Sequence, residues 1–358
     1  MCARMTLQEL REEVNRIDAE IMERLKERAA CVHQVGEIKR VTNSPVFSPE
    51  RESVLMARLM ELNGGMLPEK GVEAIWRQIV SCSCQMEGGM RVGYLGPEGT
   101  WSHQAALTRF GECVTLIPFS NFANIFSAVE RAEVDYGVIP FENSTDGSVS
   151  QAVDHFAHTE LYICAQMEQP VQNCLMSNAA REDIKVIYSH PQVLGQCRNW
   201  LQKNFPHAAQ VPTVSTTAAA QVAAEKAAEG AAALGCPVAA EYTGLKVLER
   251  NIQDKATNAT RFAVIGHQKT RPTGKDRTTI CFTVPHVAGG LVEVLQHFKA
   301  HGINILSLDS RPTRDTPWEY LFYVVVEGHE GVSPLADCLA ELRRQCPMFK
   351  VLGSYPES

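Results

Sequence analysis

The chain has 358 residues, of which 45% are hydrophobic and 21% are charged, and its formal net charge is −7 at pH 7. This length exceeds what one ordinary hydrophobic core organises, so we expect about two or three domains. No apolar run approaches the roughly 20 residues that span a bilayer, so we expect no membrane span. The negative net charge disfavours binding to nucleic acid.

The amino terminus and the cysteines indicate the compartment. Met1–Thr6 leads into a charged helical pattern without an apolar signal core, which predicts a cytoplasmic protein. The 12 cysteines should then be reduced. Cys82 and Cys84 form the only close pair in the sequence, and without a second pair or a suitably spaced histidine they do not predict a metal site. We expect neither a metal nor a cofactor.

The first segment has the periodicity of a long helix. Its apolar residues follow heptad spacing and then steps of four: Leu7, Leu10, Val14, Ile17, Ile21, Leu25, Ala29, Val32 and Val35. The pattern predicts one helix from about Thr6 to Arg40, with a single glycine, Gly36, inside it. A second helix is expected from Pro49 to Glu61 and a third after Pro68. The first helix cannot bury its stripe alone, which indicates a partner chain.

The basic residues of these helices have two interpretations. Most Lys and Arg on helices form a solvated face, and that interpretation stays open for Arg11, Arg28 and Lys39. Arg28 and Lys39 are separated by about 1100° of rotation and roughly 16 Å of rise, so both lie on nearly one face and can flank a ligand. Arg11 lies about 42 Å of helix from Lys39, too far to join the same site. If Arg11 is functional, it serves a neighbouring chain.

Over about residues 5–88 the sequence resembles the helical chorismate mutase family. The matching motifs are Leu10–Asp18, Glu27-Arg28, Val35–Lys39 and Pro49–Glu52. The resemblance implies an all-α, intertwined dimer in which Arg11 crosses into the partner's site. That family's substrate is a dicarboxylate that rearranges intramolecularly, so the resemblance implies catalysis by conformational capture and electrostatic stabilisation, without a covalent intermediate.

The resemblance also assigns roles to residues of this segment. Arg11 and Arg28 are expected to hold carboxylates, and Lys39 and Glu87 to face the breaking ether oxygen. The remaining expected site residues are Ser48, Arg51, Glu52 and Ser83. Two positions depart from some family members, since Ser48 stands where they carry Asp and Glu87 where the best-known form carries Gln.

The middle segment alternates short apolar strands with helices, which predicts an α/β domain. The predicted strands are Arg91–Leu95, Val114–Pro118, Tyr136–Pro140, Val186–Ser189 and Phe262–Ile265. Polar residues that can bind an anion repeatedly lie between a strand end and a helix start. They are Thr100-Trp101-Ser102, Asn143-Ser144, Ser189-His190-Pro191 and Ser215-Thr216-Thr217. Each alone can be a simple helix cap, but together with Thr260-Arg261 they indicate convergence on one cleft.

The run Asn258–Phe262 carries the sharpest chemical signal. A hydroxyl and a guanidinium side by side at a strand mouth offer a proton donor and a carboxylate fork on a rigid support. With Gly93–Ser102 and Val138–Val149, this run resembles the motifs of the prephenate dehydratase family, and the 189–192 and 215–220 runs match further motifs. The resemblance implies two lobes like those of periplasmic binding proteins, with the substrate between them.

That family's chemistry removes carbon dioxide and a ring hydroxyl together, so a poor leaving group must be protonated. The resemblance implies that Thr260 is the proton donor and that Arg261 anchors a carboxylate. His190 is a candidate helper or a simple turn residue. The expected substrate-binding residues of this segment are Thr100, Ser102, Asn143, Ser144, Ser189, His190, Ser215, Thr216, Thr217, Arg261 and Phe262.

The last segment reads strand, helix, strand, strand, helix, strand, the βαββαβ order of a ferredoxin-like fold. Gly289-Gly290-Leu291 and Asp309-Ser310-Arg311-Pro312 resemble motifs of phenylalanine-sensing ACT domains, with Asp in place of Glu at 309. A plain oligomerisation domain is the alternative. The expected effector-binding residues are Gly290, Leu291, Asn304, Asp309, Ser310, Arg311 and Pro312.

Taken together, the segments resemble bifunctional chorismate mutases/prephenate dehydratases, with units at 1–88, 90–268 and 276–358. We expect a multidomain, allosteric enzyme, a homodimer or larger, that makes phenylpyruvate from chorismate and is inhibited by phenylalanine. Two alternatives remain: an arogenate dehydratase carrying a mutase domain, and a non-catalytic amino-acid sensor, against which the intact Thr260–Phe262 triplet argues.

Overall fold

The computed structural model describes residues 5–144, 147–148, 150–255, 257–312 and 320–357. The motif run Val138–Val149 therefore lies only partly within the described residues, as does the amino-terminal Met1–Thr6. Three units follow one another along the chain. We call them the helical unit (5–88), the bilobal unit (90–268) and the C-terminal unit (276–357).

The helical unit consists of α1 (Leu7–Thr42), α2 (Pro49–Asn63) and α3 (Glu69–Glu87). Thr6 and Glu9 form a capping box at the start of α1, which satisfies backbone N–H groups that a helix leaves unpaired. Asn43 ends α1 and Gly64 ends α2, both in the left-handed conformation. The predicted helices are confirmed, with α1 and α2 each running two residues further than expected.

The apolar stripe of α1 is uncovered in the single chain. Leu7 is 66% exposed, Val14 55% and Ile21 51%, and Gly36 is the only buried residue of the helix. A stripe of this length on a 36-residue helix is stable in water when a second surface covers it. The exposure supports the prediction that this unit needs a partner chain.

The bilobal unit contains two mixed sheets with helices around them. Its elements in chain order are β1 (Arg91–Leu95), α4 (Trp101–Phe110), β2 (Thr115–Phe119), α5 (Phe122–Glu130), β3 (Tyr136–Asn143), β4 (Gly147–Ser148), α6 (Ser150–Phe156), β5 (Tyr162–Pro170), β6 (Cys174–Ser177), β7 (Val186–Ser189), α7 (Pro191–Gln196), α8 (Arg198–Asn204), β8 (Ala209–Pro212), α9 (Thr216–Glu225), β9 (Ala231–Gly235), α10 (Val238–Thr243), β10 (Lys246–Glu249) and β11 (Ala259–Gly266).

Each sheet forms one lobe. The first has the order β2-β1-β3-β11-β5, with β4 beside β3, and the second has the order β10-β6-β9-β7-β8. The chain passes from the first lobe to the second after β5 and returns before β11, and the two passages are joined where Val171 N–H donates to the Asn258 carbonyl over 2.9 Å. The two α/β lobes agree with the bilobal architecture that the family resemblance implied.

The C-terminal unit contains β12 (Asp276–Thr283), α11 (Gly290–Ala300), β13 (Ile305–Pro312), β14 (Tyr320–Glu327), α12 (Leu335–Gln345) and β15 (Phe349–Pro356). Its antiparallel sheet has the order β13-β14-β12-β15, which confirms the predicted ferredoxin-like arrangement. β15 also packs closely on β5: a Cβ at Gly353 would lie 2.1 Å from the Ile163 carbonyl oxygen, so only glycine fits there.

The helical unit is anchored to the bilobal unit by the loop between α1 and α2. Phe47 in this loop is 1% exposed, and its ring lies 5.1 Å from that of Phe110 and 5.0 Å from that of Tyr136. The Phe47 carbonyl accepts a hydrogen bond from Gln268 Nε2 over 3.0 Å. Phe47 and Cys84 of the helical unit are thus both part of the first lobe's core. In the described residues no helix is both long and apolar enough to cross a membrane.

Candidate active sites

The first candidate site lies where α1 crosses α3. A Cβ at Gly36 would lie 2.7 Å from the Cα of Glu87, so the glycine allows the two backbones to touch. One turn further on, Lys39 Nζ lies 2.6 Å from Glu87 Oε2 and donates to the Val46 carbonyl over 2.9 Å. Gly36, which in the sequence only interrupts the predicted helix, therefore allows Lys39 and Glu87 to come into contact.

The other predicted mutase residues are distributed around this crossing. Arg28 Nη1 donates to Ser83 Oγ over 2.5 Å, so Arg28 and Lys39 both reach α3. Ser48 is the N-cap residue of α2 and makes no side-chain capping bond. Arg51 is exposed, and Arg11 is exposed near the far end of α1. Arg28, Lys39, Ser83 and Glu87 therefore meet within one chain, and Arg11 is remote from them.

Glu52 has a partner outside the helical unit. Its Oε2 lies 2.5 Å from Arg109 Nη1, on α4 of the bilobal unit, and 3.8 Å from Arg77 Nη1 on α3. The Glu52 and Arg109 side chains are 21% and 11% exposed. Neither Arg77 nor Arg109 is singled out by the sequence, because their relation to Glu52 depends on how two units pack.

The second candidate site lies at the carboxyl edges of the two sheets. β1 and β3 are parallel, so their ends, Leu95 and Asn143, lie at one edge of the first sheet. β7, β8 and β9 are also parallel and end at one edge of the second sheet. The two edges meet, because a Cβ at Gly99 would lie 3.0 Å from the Ala239 Cα and 3.4 Å from Thr217 Oγ1. Crevices outside the carboxyl ends of strands are where α/β sheets bind ligands.

Thr260 lies at this edge on β11, which begins at Ala259, so the residue is inside the strand rather than at its mouth. Its Oγ1 accepts a hydrogen bond from Asn143 Nδ2 over 2.9 Å. On the other side of β11 the residue paired with Thr260 is Gln169, whose Oε1 is buried without a hydrogen-bond partner among the described residues. Gln169 carries no motif, and only the strand register reveals its position.

Arg261 and Phe262 do not share the surroundings of Thr260. Successive residues of a strand face opposite sides, and Arg261 Nη1 pairs with Glu142 Oε2 at 2.9 Å on the face away from Thr260. Its Nε lies 3.6 Å from Glu168 Oε2. The ring of Phe262 is buried in the core beside Tyr94 and Val138. The expected pairing of Thr260 and Arg261 in one pocket is therefore not what the strand geometry allows.

Several of the polar helix starts act as caps. Thr100, His190 and Ser215 accept hydrogen bonds from backbone N–H groups at the starts of α4, α7 and α9. Ser189 Oγ donates to the Leu234 carbonyl, and Ser144 Oγ accepts from Ala259 N–H. Ser102 and Thr216 are buried in the first turns of α4 and α9. Thr217 is different, since its Oγ1 is buried with no hydrogen-bond partner in the described part of the chain.

His103, which the sequence did not single out, supports the loop before α4. Its Nδ1 accepts a hydrogen bond from Gly99 N–H over 3.0 Å, and its ring stacks on Tyr94 at 4.7 Å. Burial lowers the pKa of His103 below its usual value. A neutral imidazole with Nδ1 as acceptor is the form that this contact requires.

The predicted effector residues fall in three places in the single chain. Gly290 and Leu291 line a cavity of about 250 Å³ with Pro285 and Tyr320. Asn304 lines a separate cavity, and Asp309 borders a third, next to Glu142 of the bilobal unit. Ser310, Arg311 and Pro312 lie on β13, where Arg311 Nε pairs with Asp309 Oδ2 at 3.2 Å. One chain does not bring these residues into one pocket.

Comparisons with known proteins follow the same three-unit order. Family models match residues 10–88 as chorismate mutase type II, 92–270 as prephenate dehydratase and 278–344 as an ACT domain. The bifunctional chorismate mutase/prephenate dehydratase of Aquifex aeolicus is 39% identical over 98% of both chains. The protein of the same name from Neisseria gonorrhoeae is 35% identical over 97% of this chain and 96% of its own.

A solved structure is similar to most of the chain. It is the prephenate dehydratase of Arthrobacter aurescens in complex with L-Phe, 33% identical, with a TM-score of 0.69 over 75% of this chain and 90% of its own. The fold and the two sites define a multidomain enzyme with an isomerase unit, a lyase unit and an ACT domain. The chain belongs to the bifunctional chorismate mutase/prephenate dehydratase family.

Proposed function

We propose that the chain converts chorismate to prephenate in the helical unit and prephenate to phenylpyruvate in the bilobal unit, under inhibition by phenylalanine. The observation that carries this proposal is that each of the two units holds its own hydrogen-bonded polar pair. Lys39 pairs with Glu87 where α1 crosses α3, and Asn143 pairs with Thr260 on the adjacent strands β3 and β11. The two reactions then use separate side chains and can be altered independently.

In the helical unit, Lys39 is the proposed donor to the breaking ether oxygen. An ammonium group has three N–H donors, and Glu87 and the Val46 carbonyl accept two of them. The third remains for the ether oxygen, where negative charge develops as the bond breaks. Arg28, held by Ser83, binds one substrate carboxylate, and Arg11 of a second copy binds the other. Ser48, Arg51 and Glu52 complete the site at the start of α2.

In the bilobal unit, Thr260 is the proposed proton donor. Because Asn143 Nδ2 donates to Thr260 Oγ1, the threonine's own O–H is left to point at the substrate. Its proton passes to the departing ring hydroxyl, which leaves as water, while the carboxylate leaves as carbon dioxide and its bonding electrons complete the aromatic ring. Thr217 Oγ1 and Gln169 Oε1 are buried and have no hydrogen-bond partner among the described residues, and they are proposed contacts for the substrate's polar groups.

Arg261 receives a different proposed role. Glu142 borders the small cavity beside Asp309 and Tyr323 of the C-terminal unit, so the Arg261–Glu142 pair faces that unit. We propose that Arg261 holds β3 and β5 on either side of β11 and keeps Thr260 in register. Phe262 is proposed to support the same strand by core packing.

The regulatory proposal rests on the C-terminal unit. The Arthrobacter aurescens relative binds L-Phe. We propose that phenylalanine binds here between two copies of the unit, with Gly290 and Leu291 from one and the 309–312 run from the other, because these residues are apart in one chain. A homodimer also covers the exposed stripe of α1. The free thiols of the described cysteines fit a reducing, cytoplasmic setting.

One assay tests these proposals together. Purified protein is given chorismate, and loss of chorismate and formation of phenylpyruvate are followed with and without phenylalanine. We expect both reactions, with slower phenylpyruvate formation when phenylalanine is present. A parallel assay in which either prephenate or arogenate is added directly distinguishes the two dehydratase substrates. Binding of phenylalanine without turnover of chorismate or prephenate would instead support the amino-acid sensor.

A further inference from the structure

The ion pair between Glu52 and Arg109 joins two units that carry different reactions. Glu52 belongs to α2, on the proposed mutase site, and Arg109 belongs to α4 of the bilobal unit. Their closest atoms are 2.5 Å apart, and both side chains are largely enclosed. A charge-assisted contact of this length in a partly buried place fixes the carboxylate more firmly than an exposed pair does.

Arg109 is itself held in place by the helical unit. Its guanidinium lies 4.7 Å from the ring centre of Phe47 and 5.7 Å from that of Phe110. Its carbonyl oxygen accepts a hydrogen bond from Arg77 Nη1 over 2.9 Å. Stacking on aromatic rings restricts the planar guanidinium, so it presents a defined donor edge to Glu52.

The same junction reaches the Lys39–Glu87 pair. Phe47, under Arg109, follows Val46, whose carbonyl accepts from Lys39. The thiol of Cys84 on α3 is buried in the same hydrophobic cluster as Phe47. Burial, with smaller contributions from Glu52 and Glu87, raises the pKa of Cys84 to about 12, and Lys39 and Arg109 oppose the rise. Cys84 is thus near both the Glu52–Arg109 pair and the Lys39–Glu87 pair, which places the two pairs at one junction between the units.

We propose that Arg109 is a positioning residue for the mutase reaction: it fixes the carboxylate of Glu52, so the bilobal unit completes the mutase site of its own chain. The inference rests on the proposed function, which assigns Glu52 to that site. Without Arg109, the carboxylate turns toward Arg77, now 3.8 Å away, and leaves its working position. A displacement of about 1 Å at a reacting site costs roughly 100-fold in rate.

The test compares Arg109→Met and Arg109→Lys in the full chain. Methionine keeps an apolar stem over Phe47 and removes the charge, so we expect mutase kcat to fall about 10- to 100-fold. Lysine should restore part of the loss because its ammonium can still pair with Glu52. Dehydratase kcat, measured with prephenate on the same preparation, should stay within about twofold. Arg131→Met is the matched control, since Arg131 forms an exposed pair with Glu133 in the same lobe.

A double-variant cycle shows whether Arg109 acts through Glu52. Residues that work as a unit lose activity non-additively, so Arg109→Met should add little to the loss in Glu52→Gln. An unchanged or raised mutase kcat in Arg109→Met, or losses that multiply in the double variant, would overturn the proposal. So would an equal fall of both activities, which marks general destabilisation. A wild-type chain without mutase activity would instead refute the proposed function.

Discussion

The helical unit and the bilobal unit differ in how far a single chain buries their apolar side chains. α1 leaves a row of leucine, valine and isoleucine side chains exposed, whereas β3 and β11 in the bilobal unit enclose Val138, Ile139 and Val264 completely. A central strand is covered on both faces by its own chain, but a long helix in a three-helix hairpin is not. In the proposed function, accordingly, the mutase reaction uses contacts from outside its unit, whereas the dehydratase reaction uses residues of one chain.

The largest expected effect separates the two activities at Thr260. Thr260→Ala removes the proposed proton donor, so dehydratase kcat should fall by about 10²- to 10⁴-fold, the usual contribution of a positioned acid. Mutase activity should be unchanged, and prephenate should accumulate from chorismate. Thr115→Ala, at an exposed position of the same sheet, is the control. Phenylpyruvate formation at the wild-type rate would remove Thr260 from the mechanism.

Mixing two inactive variants tests whether the mutase site is shared between chains. Arg11→Ala and Lys39→Ala should each abolish mutase activity. After subunit exchange a mixed dimer has one intact site, so a random mixture should recover about a quarter of wild-type activity. Dehydratase activity should be constant throughout. If the mixture stays inactive although exchange is verified by mass spectrometry of tagged chains, Arg11 does not act across the interface.

A substitution in the C-terminal unit should alter inhibition by phenylalanine without altering the rate of either reaction. A Cβ at Gly290 would lie 2.7 Å from the Pro285 carbonyl oxygen, so Gly290→Ala distorts the proposed effector cavity. We expect the phenylalanine concentration for half-inhibition to rise about 5- to 150-fold, the usual range of coupling between linked sites. Gly331→Ala, whose Cβ would meet nothing closer than 3.4 Å, is the control. Unaltered inhibition in Gly290→Ala would show that the effector binds elsewhere.

Gly36→Ala should weaken the mutase by moving one helix. The added Cβ meets the backbone of Glu87, so α1 and α3 must separate, at an overpacking cost of about 1 to 3 kcal/mol. The Lys39–Glu87 contact then lengthens, and mutase kcat should fall roughly tenfold, which corresponds to about 1.4 kcal/mol. Gly71→Ala on α3 has open space and should be silent. Equal mutase rates in the two variants would contradict the role given to the crossing.

The smallest expected effect is a pH dependence in the bilobal unit. The folded-state pKa of His103 is lowered by burial, so on acidification the unfolded chain binds a proton before the folded chain does. Stability should therefore be fully present above about pH 6.5 and fall as the pH drops toward the folded-state pKa. His103→Gln should flatten this part of the thermal-melting profile, while the exposed His207→Gln should not. Identical profiles for wild type and His103→Gln would exclude the effect.

The sequence by itself determined the local elements of this protein. The heptad spacing of α1, the Thr6–Glu9 box and the polar residues before α4 and α9 act over one or two turns, so their signals are readable in a short window. The strand Phe262–Ile265 and the order of the C-terminal unit were predictable for the same reason, although the strand begins earlier, at Ala259, and includes Thr260. The motifs that resemble known families also predicted the two reactions.

Only the tertiary structure decided which of those residues meet. Arg109 and Glu52 are 57 residues apart, and Gln169 reaches Thr260 through a strand register that no motif encodes. The pairing of Arg261 with Glu142 likewise depends on the register between β3 and β11. Such contacts depend on how whole units pack, and packing is set by surfaces assembled from distant parts of the chain.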